Sequence, residues 1–261
     1  MLNILAVGDV VGQEAVALLE QHLWNWRKEL GADLAVVNAE NAAVGNGLDP
    51  DSAARLLHAG ADVLTSGNHI FQKKSIYEYL DAHDHVIRPA NYPPHCPGSG
   101  YTLTDVCGWR ALVINVSGTV FLDALACPFE TVDRILDREA GKYDFALLDI
   151  HAEATAEKIA LARYFDGRIS CIWGTHTHVA TADEKILPGG SGYITDLGMT
   201  GPTDSVLGVE TDVVIEKFRT KMPVHFRTAQ GGVVMHGALY TLEPSSGKTV
   251  SVRRVCLPAA T

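Results

Sequence analysis

The feature that most constrains this chain is an alternation that begins at its first residues. Short, largely apolar runs each empty into a polar loop, and amphipathic stretches separate them. Residues 3–7, 34–37 and 62–65 are three such runs. A run that is apolar at successive positions, rather than at every second one, is the pattern of a strand buried on both faces. Between the first two, Val16, Leu19, Leu23, Trp26 and Leu30 recur at three- and four-residue spacing, which predicts a helix that Gly31 stops. Between the second and third, Asp49-Pro50 offers an N-cap and a first-turn proline for a helix closed by Gly60. Strand, helix, strand, helix, strand implies α/β architecture with a largely parallel sheet.

The middle is looser. Arg88-Pro89-Ala90-Asn91-Tyr92-Pro93-Pro94 is a proline-rich loop and Pro97-Gly98-Ser99-Gly100 a turn, with strand-like alternation at 101–104 and 110–116. Residues 128–140 read as a helix, 145–150 as a buried strand ending at His151, and 154–165 as an amphipathic helix closed by Gly167. The last third predicts hairpin-like strands at 192–195, 212–218, 233–242 and 249–255, with Ser245-Ser246-Gly247-Lys248 as the turn between the last two. No Gly/Ser or Pro linker divides the chain and charge is not segregated. The expectation is one domain over 1–261, two sheets face to face with helices outside.

Composition excludes some classes of function. The formal net charge of −10 argues against a nonspecific nucleic-acid surface. It leaves phosphate substrates open, because bound divalent cations invert the sign of a site. No apolar run reaches the roughly 18–20 residues of a membrane span. The N-terminus opens directly into an apolar run, without a basic flank or small-residue cleavage site, so a cytoplasmic protein without a signal peptide or a membrane partner is expected. The five cysteines are scattered and form no C-x-x-C, as expected of reduced thiols.

The chemistry-bearing residues sit where the apolar runs end. Asp9 follows the first, Glu40-Asn41 the second, Asn68-His69 the third, and His151 the run 145–150; Gly174-Thr175-His176-Thr177-His178 follows the run 169–173. Each alone has an ordinary reading: Asp9 as a helix N-cap, Glu40 as a solvated carboxylate, Asn68 as a turn residue, His151 as a core histidine bonded to backbone. In open α/β sheets, however, the carboxyl ends of the strands converge on one crevice. Imidazole, carboxylate and amide oxygen without thiolate suit divalent manganese, iron or zinc. They are too many for one catalytic zinc and suit two metals about 3.5–4 Å apart.

In that order, these motifs resemble the calcineurin-type metallophosphoesterases, and more closely their bacterial YmdB-like branch. The branch pattern is seen in Gly8-Asp9-Val10-Val11-Gly12, Asn38-Ala39-Glu40-Asn41-Ala42-Ala43, Arg88-Pro89-Ala90-Asn91-Tyr92-Pro93 and Asp196-Leu197-Gly198-Met199-Thr200-Gly201-Pro202. The resemblance is weakest over 96–110 and after Lys221. Val11 stands where the wider superfamily has a histidine, and Glu40 where it has aspartate; in the YmdB-like branch Asn41 takes the missing histidine's role. The resemblance implies a four-layer αββα sandwich with two mixed sheets. It implies one metal on Asp9, Glu40, Asn41 and His178, and another on Glu40, Asn68, His151 and His176. His69 would contact the phosphate and protonate the leaving oxygen.

The implied reaction is in-line attack by a metal-bridging hydroxide on a phosphodiester, with 2′,3′-cyclic nucleotides as the implied substrates. The motif loops are short of cations, with only Lys73, Lys74 and Arg88 near in sequence, which favours a singly charged diester over a monoester dianion. Asn91, Tyr92 and Thr200 are candidates for a substrate lip, Tyr92 by stacking on a base. A phosphomonoesterase and a metal-bound regulator or RNA-binding protein with little turnover are the alternatives, and homo-oligomerisation is left open. A metal-dependent amidohydrolase would place its His-x-His after the first strand, not late. His22, His58, His83, His85 and His225 are read as incidental.

Overall fold

In the computed structural model, which describes residues 1–258, β1 (Leu2–Val7) leads through Gly8 into a two-residue strand, β2 (Asp9–Val10), and then α1 (Gly12–Leu30). Gly31 ends α1 in the left-handed region (φ 62°), where its N–H and that of Ala32 cap the carbonyls of Lys28 and Arg27. β3 (Leu34–Asn38) and α2 (Pro50–His58) follow, and the Asp49 carboxylate accepts the Ser52 N–H at 2.8 Å as N-cap. β4 (Val63–Thr65) and a short α3 (Ile76–Ala82), which no periodicity foretold, complete the first half.

β5 (Tyr101–Val106) and β6 (Trp109–Ser117) form an antiparallel hairpin. Its two-residue turn, Cys107-Gly108, has positive φ at both positions (53° and 84°). Then come α4 (Pro128–Arg138), β7 (Phe145–His151), α5 (Thr155–Tyr164), β8 (Cys171–Thr175), β9 (Lys185–Ile186), β10 (Gly192–Ile194), β11 (Met199–Pro202), α6 (Thr211–Thr220), β12 (Val233–Glu243) and β13 (Lys248–Pro258).

Residues 212–218, expected as a strand, form α6. The β-branched Val213-Val214-Ile215 suggests extension, but of the helix only Val214 is buried and no sheet neighbour covers the segment. Asp212 in the first turn and Lys217 and Arg219 in the last complement the helix dipole instead. The expected domain of 1–261 runs past the described residues by its last three positions.

Seven strands form the first sheet, in the order β2-β11-β12-β1-β3-β4, with β13 also paired to β12. The second runs β5-β6-β7-β8-β10-β9. Both are mixed: β1, β3 and β4 are parallel and β12 antiparallel, while β6, β7, β8 and β10 are parallel with antiparallel strands at both edges. The pleat of β1 shows the layering. Leu5 and Val7 pack with Leu19 and Leu23 of α1, whereas Ile4 and Ala6 pack with Val113, Leu147 and Trp173 of the other sheet. A third core lies beyond the second sheet, where Leu112, Leu148 and Ile172 meet Val132 of α4 and Leu161 of α5. The result is a four-layer αββα sandwich. Among the described residues no helix is long and apolar enough to cross a membrane.

Candidate metal centre

Asp9 lies in β2, Glu40 and Asn41 just past β3, and Asn68 and His69 just past β4; His151 ends β7, and His176 and His178 follow β8. All eight side chains meet at the carboxyl edge shared by the two sheets. His151 Nε2 is 3.0 Å from Asn68 Oδ1, 3.1 Å from His176 Nδ1 and 3.5 Å from Glu40 Oε1. His178 Nε2 is 3.4 Å from Asn41 Nδ2 and 3.8 Å from Asp9 Oδ1. Glu40 also accepts the His69 backbone N–H at 2.6 Å. The donors thus pack against one another at hydrogen-bond distance. Among the described residues, no three His, Cys, Asp or Glu side chains form a ready-made cage.

What the cluster lacks is positive charge. Asp9 and Glu40 are fully buried. Burial, with Asp196 adding repulsion and His178 opposing it, pushes Asp9 up to about 6, and burial drives Glu40 well above the carboxylate range. Asp9 Oδ1 and Glu40 Oε2 have no hydrogen-bond partner at all. Each orphaned oxygen costs about 1–3 kcal/mol or more, and a divalent cation is the partner that would remove the cost. The donor chemistry therefore fits divalent manganese, iron or zinc. Gly67 has to be glycine here, because a Cβ would lie 2.1 Å from the His151 ring.

A second layer orients the imidazoles. The Thr175 hydroxyl donates to Asp149 Oδ1 at 2.8 Å and lies 3.0 Å from His151 Nδ1. With its proton committed to the carboxylate, the hydroxyl accepts from Nδ1–H, so Nε2 presents its lone pair to the cluster. Asp149 Oδ2 accepts the Thr65 hydroxyl at 2.5 Å and the Asn38 amide at 3.0 Å; burial pushes Asp149 up to about 7 against these bonds. His178 Nδ1 donates to the Leu207 carbonyl at 3.0 Å, which likewise frees its Nε2. Thr175→Val should leave Asp149 and His151 each short of a buried bond. The expected cost is about 1–3 kcal/mol in urea unfolding, with Mn²⁺ affinity lowered about 10–100-fold. Thr175→Ser should keep both, and equal affinity in Thr175→Val and wild type would remove the hydroxyl from this role.

The loop bearing His176 and His178 has positive φ at both (96° and 64°) and is held by Asp196. Asp196 Oδ2 accepts Thr177 N–H at 3.2 Å, the Thr177 hydroxyl at 2.8 Å and Lys158 Nζ at 2.6 Å, and Oδ1 accepts Gly198 N–H at 2.9 Å. Lys158 and Asp196 are each 1% exposed. The lysine stem runs so close to Gly174 that a Cβ there would come within 2.7 Å of Lys158 Cδ.

Asp149, Glu153, Lys158 and Asp196 are the functional neighbours that the strand-end pattern does not single out. Asp149 was detectable as the lone charge in an apolar run, and Lys158 as a charge on the buried face of α5 beside Leu161 and Ala162. Glu153, half exposed, pairs with His176 Nε2 at 3.1 Å and has no comparable signal.

Of the three residues expected at the lip, Thr200 needs correction. Asn91 is buried, with Oδ1 accepting Ser117 N–H at 2.9 Å and Nδ2 donating to the carbonyls of Ser117 at 2.8 Å and Ala126 at 3.1 Å. Thr200 is fully buried in β11 beside Val10. Thr200 reaches no surface, whereas Asn91, though held by these bonds, borders a groove beside Tyr92. Tyr92, half-buried, packs edge-on to Phe71 with ring centroids 5.3 Å apart, and burial with the nearby Glu40 charge raises its hydroxyl to about 12. The His69 side chain is 27% exposed. Its Nδ1 lies 2.8 Å from Asn41 Oδ1, an acceptor, so Nδ1 carries a proton and Nε2 is left for another partner. Burial, then the charges of His176 and His178, hold His69 below the ordinary histidine range.

Comparison with known proteins agrees across nearly the whole chain. A family model described as YmdB-like protein matches residues 5–255. The 2′,3′-cyclic-nucleotide 2′-phosphodiesterase of Bacillus subtilis (strain 168) is 39% identical over 256 residues, 98% of this chain and 97% of that one. A hypothetical protein from Thermus thermophilus, solved by crystallography, superposes with a TM-score of 0.93 at 40% identity, covering 99% of this chain and 100% of that one. A phosphatase from Mycoplasma pneumoniae does so with a TM-score of 0.92 at 30% identity, covering 98% and 93%.

Proposed function

The chain belongs to the YmdB-like family, and from that premise we propose that it is a dinuclear-metal-dependent phosphodiesterase acting on 2′,3′-cyclic nucleotides or related small phosphodiesters. Its two-sheet sandwich is the calcineurin-like metallophosphoesterase fold. The observation that carries the metal reading is the pair of orphaned, buried oxygens, Asp9 Oδ1 and Glu40 Oε2, within a ring of imidazole and amide donors. Asp9, Glu40, Asn41 and His178 would hold one ion, and Glu40, Asn68, His151 and His176 the other, with Mn or Fe favoured and Zn accommodated. When bound, the pair neutralises charge building on the phosphoryl oxygens and brings water's pKa down towards about 7.

The chain's own residues supply the rest. With Nδ1–H held by Asn41, His69 carries a transferable Nε2 proton only as the imidazolium, a form that a bound phosphodiester anion favours; that ring gives its Nε2 proton to the departing oxygen and is left as the neutral Nδ1–H tautomer. Asn41, accepting from His69 Nδ1, keeps that ring turned so that Nε2 faces outward. Asn41 Oδ1 has two lone pairs, so one can serve His69 and the other an ion.

A preference for diesters follows from where the cations are. Lys73 Nζ is spent on the Val44 carbonyl, and Arg88 bonds only to carbonyls of its own loop. Neither of these two therefore offers the cluster a free charge for the second charge of a monoester. The relative from Bacillus subtilis, whose name specifies a 2′-phosphodiesterase, supports the same substrate class and a 3′-phosphate product.

The test is hydrolysis of adenosine 2′,3′-cyclic phosphate, bis-p-nitrophenyl phosphate and p-nitrophenyl phosphate by chelated protein, before and after Mn²⁺ is restored. Metal-dependent turnover of both diesters, with the monoester slower, is the expected result. Faster monoester turnover would recast the protein as a phosphatase. Undiminished turnover after chelation would remove the metals from the reaction.

A further inference from the structure

A groove of about 930 Å³ is walled by the proline-rich loop, the segment ahead of α4, and α4 itself; none of the eight donors lines it. Arg88, Arg134 and Arg138 line it, with Tyr92 and Tyr101. In a chain whose net charge is −10, three guanidinium groups on one concavity are a local reversal of sign.

Arg88 is the most telling. It is 5% exposed, and its Nε, Nη1 and Nη2 donate to the carbonyls of Pro97 at 3.0 Å, Pro89 at 2.9 Å and Cys96 at 3.4 Å. Those bonds use three of its five N–H groups. Among the described residues no carboxylate pairs with it. A buried cation without a counter-ion is costly to keep, and an anionic ligand in the groove would supply one.

Arg134 and Arg138 stand one turn apart on α4 and so share a face. Arg134 bonds only to the Thr131 hydroxyl, at 3.2 Å, and Arg138, 75% exposed, is 3.6 Å from Glu139. Both are free to turn onto a ligand. Two acids also line the groove, Asp81 and Asp84, and Asp81 Oδ1 is committed to the Gly98 N–H at 2.7 Å.

Tyr92 joins the groove to the donor cluster: it lines the one, its ring rests on Phe71, two residues after His69, and its hydroxyl feels the Glu40 charge. We propose that the groove is a second anion subsite, which takes the phosphodiester on the 5′ side of the one hydrolysed. The preferred substrate is then a short oligonucleotide ending in a 2′,3′-cyclic phosphate rather than the free mononucleotide. Tyr92 offers its ring to the base between the two phosphates. The choice of scissile bond rests on the function proposed above; the subsite itself rests on the groove.

Binding to chelated protein separates the two. By calorimetry, adenylyl-adenosine 2′,3′-cyclic phosphate should bind at least about tenfold more tightly than adenosine 2′,3′-cyclic phosphate, as expected when charged hydrogen bonds are added. Arg134→Gln/Arg138→Gln, both on an exposed helix face, should erase that advantage. It should also lower the slope of log K against log salt by about 0.7 per lost phosphate contact. Affinity for the mononucleotide should not change. Equal affinity for the two ligands in wild type, or an advantage that survives the double substitution, overturns the subsite. A dinucleotide preference in protein that hydrolyses no diester when Mn²⁺ is restored would keep the subsite and sink the phosphodiesterase reading. Diester hydrolysis with no preference for length, in binding or in kcat/KM, would do the reverse.

Discussion

His69→Ala is expected to lower turnover of adenosine 2′,3′-cyclic phosphate by about 10²–10⁴-fold, the usual worth of a general acid, while the bound Mn²⁺ content stays at the wild-type level. The ring is the most solvent-accessible of the clustered imidazoles, and Nε2 has no partner within the protein, as a group that hands a proton to a ligand requires. The backbone N–H that reaches Glu40 survives the substitution, so the loop keeps its anchor. The leaving group gives a sharper readout. A ribose alkoxide needs a proton to depart and p-nitrophenolate does not, so the loss should be much smaller on bis-p-nitrophenyl phosphate. Equal losses on the two substrates would assign His69 to phosphate binding, and loss of metal would make it a ligand.

Lys158→Met is expected to cost about 3–5 kcal/mol of folding free energy, read as a shift of the urea midpoint at unchanged m. The substitution strands a charged Asp196 beneath the histidine loop with only Thr177 and Gly198 as donors. Methionine fills the volume of the lysine stem, so the loss reports charge rather than a cavity. Lys158→Met/Asp196→Asn should recover most of it, because the unpaired charge is gone and the amide oxygen still accepts from Thr177, at the cost of the single Gly198 N–H bond. A single variant within about 1 kcal/mol of wild type, the range of an exposed pair, would show that the pair is not desolvated as its burial implies.

The first half of the fold is legible because each of its signals is local. β1, β3 and β4 are apolar at successive positions, since both their faces are covered, and Asp49-Pro50 and Gly31 mark helix ends through bonds to near neighbours. The strand-end residues are legible for a related reason: parallel strands deliver their next few residues to one edge. α6 misleads because its β-branched residues carry a strand propensity that the absence of a sheet partner overrules. Thr200 misleads because a polar residue near a site looks the same whether it faces a ligand or the interior. The orienting layer is the least legible. Asn38 and Asp149 are 111 positions apart, and Lys158 and Asp196 are 38 apart, so no local pattern registers either pairing.

The Asp149 carboxylate has a consequence for how the molecule can move. It collects Asn38 and Thr65 from one sheet and Thr175 from the other, so it acts as a dowel driven through the seam between the two layers. Asp9, Glu40, Asn41 and Asn68 ride on the first layer, and His151, His176 and His178 on the second. Each proposed ion draws ligands from both. If the layers sheared, neither ion could keep its full set, and the two positions would fail together rather than one after the other.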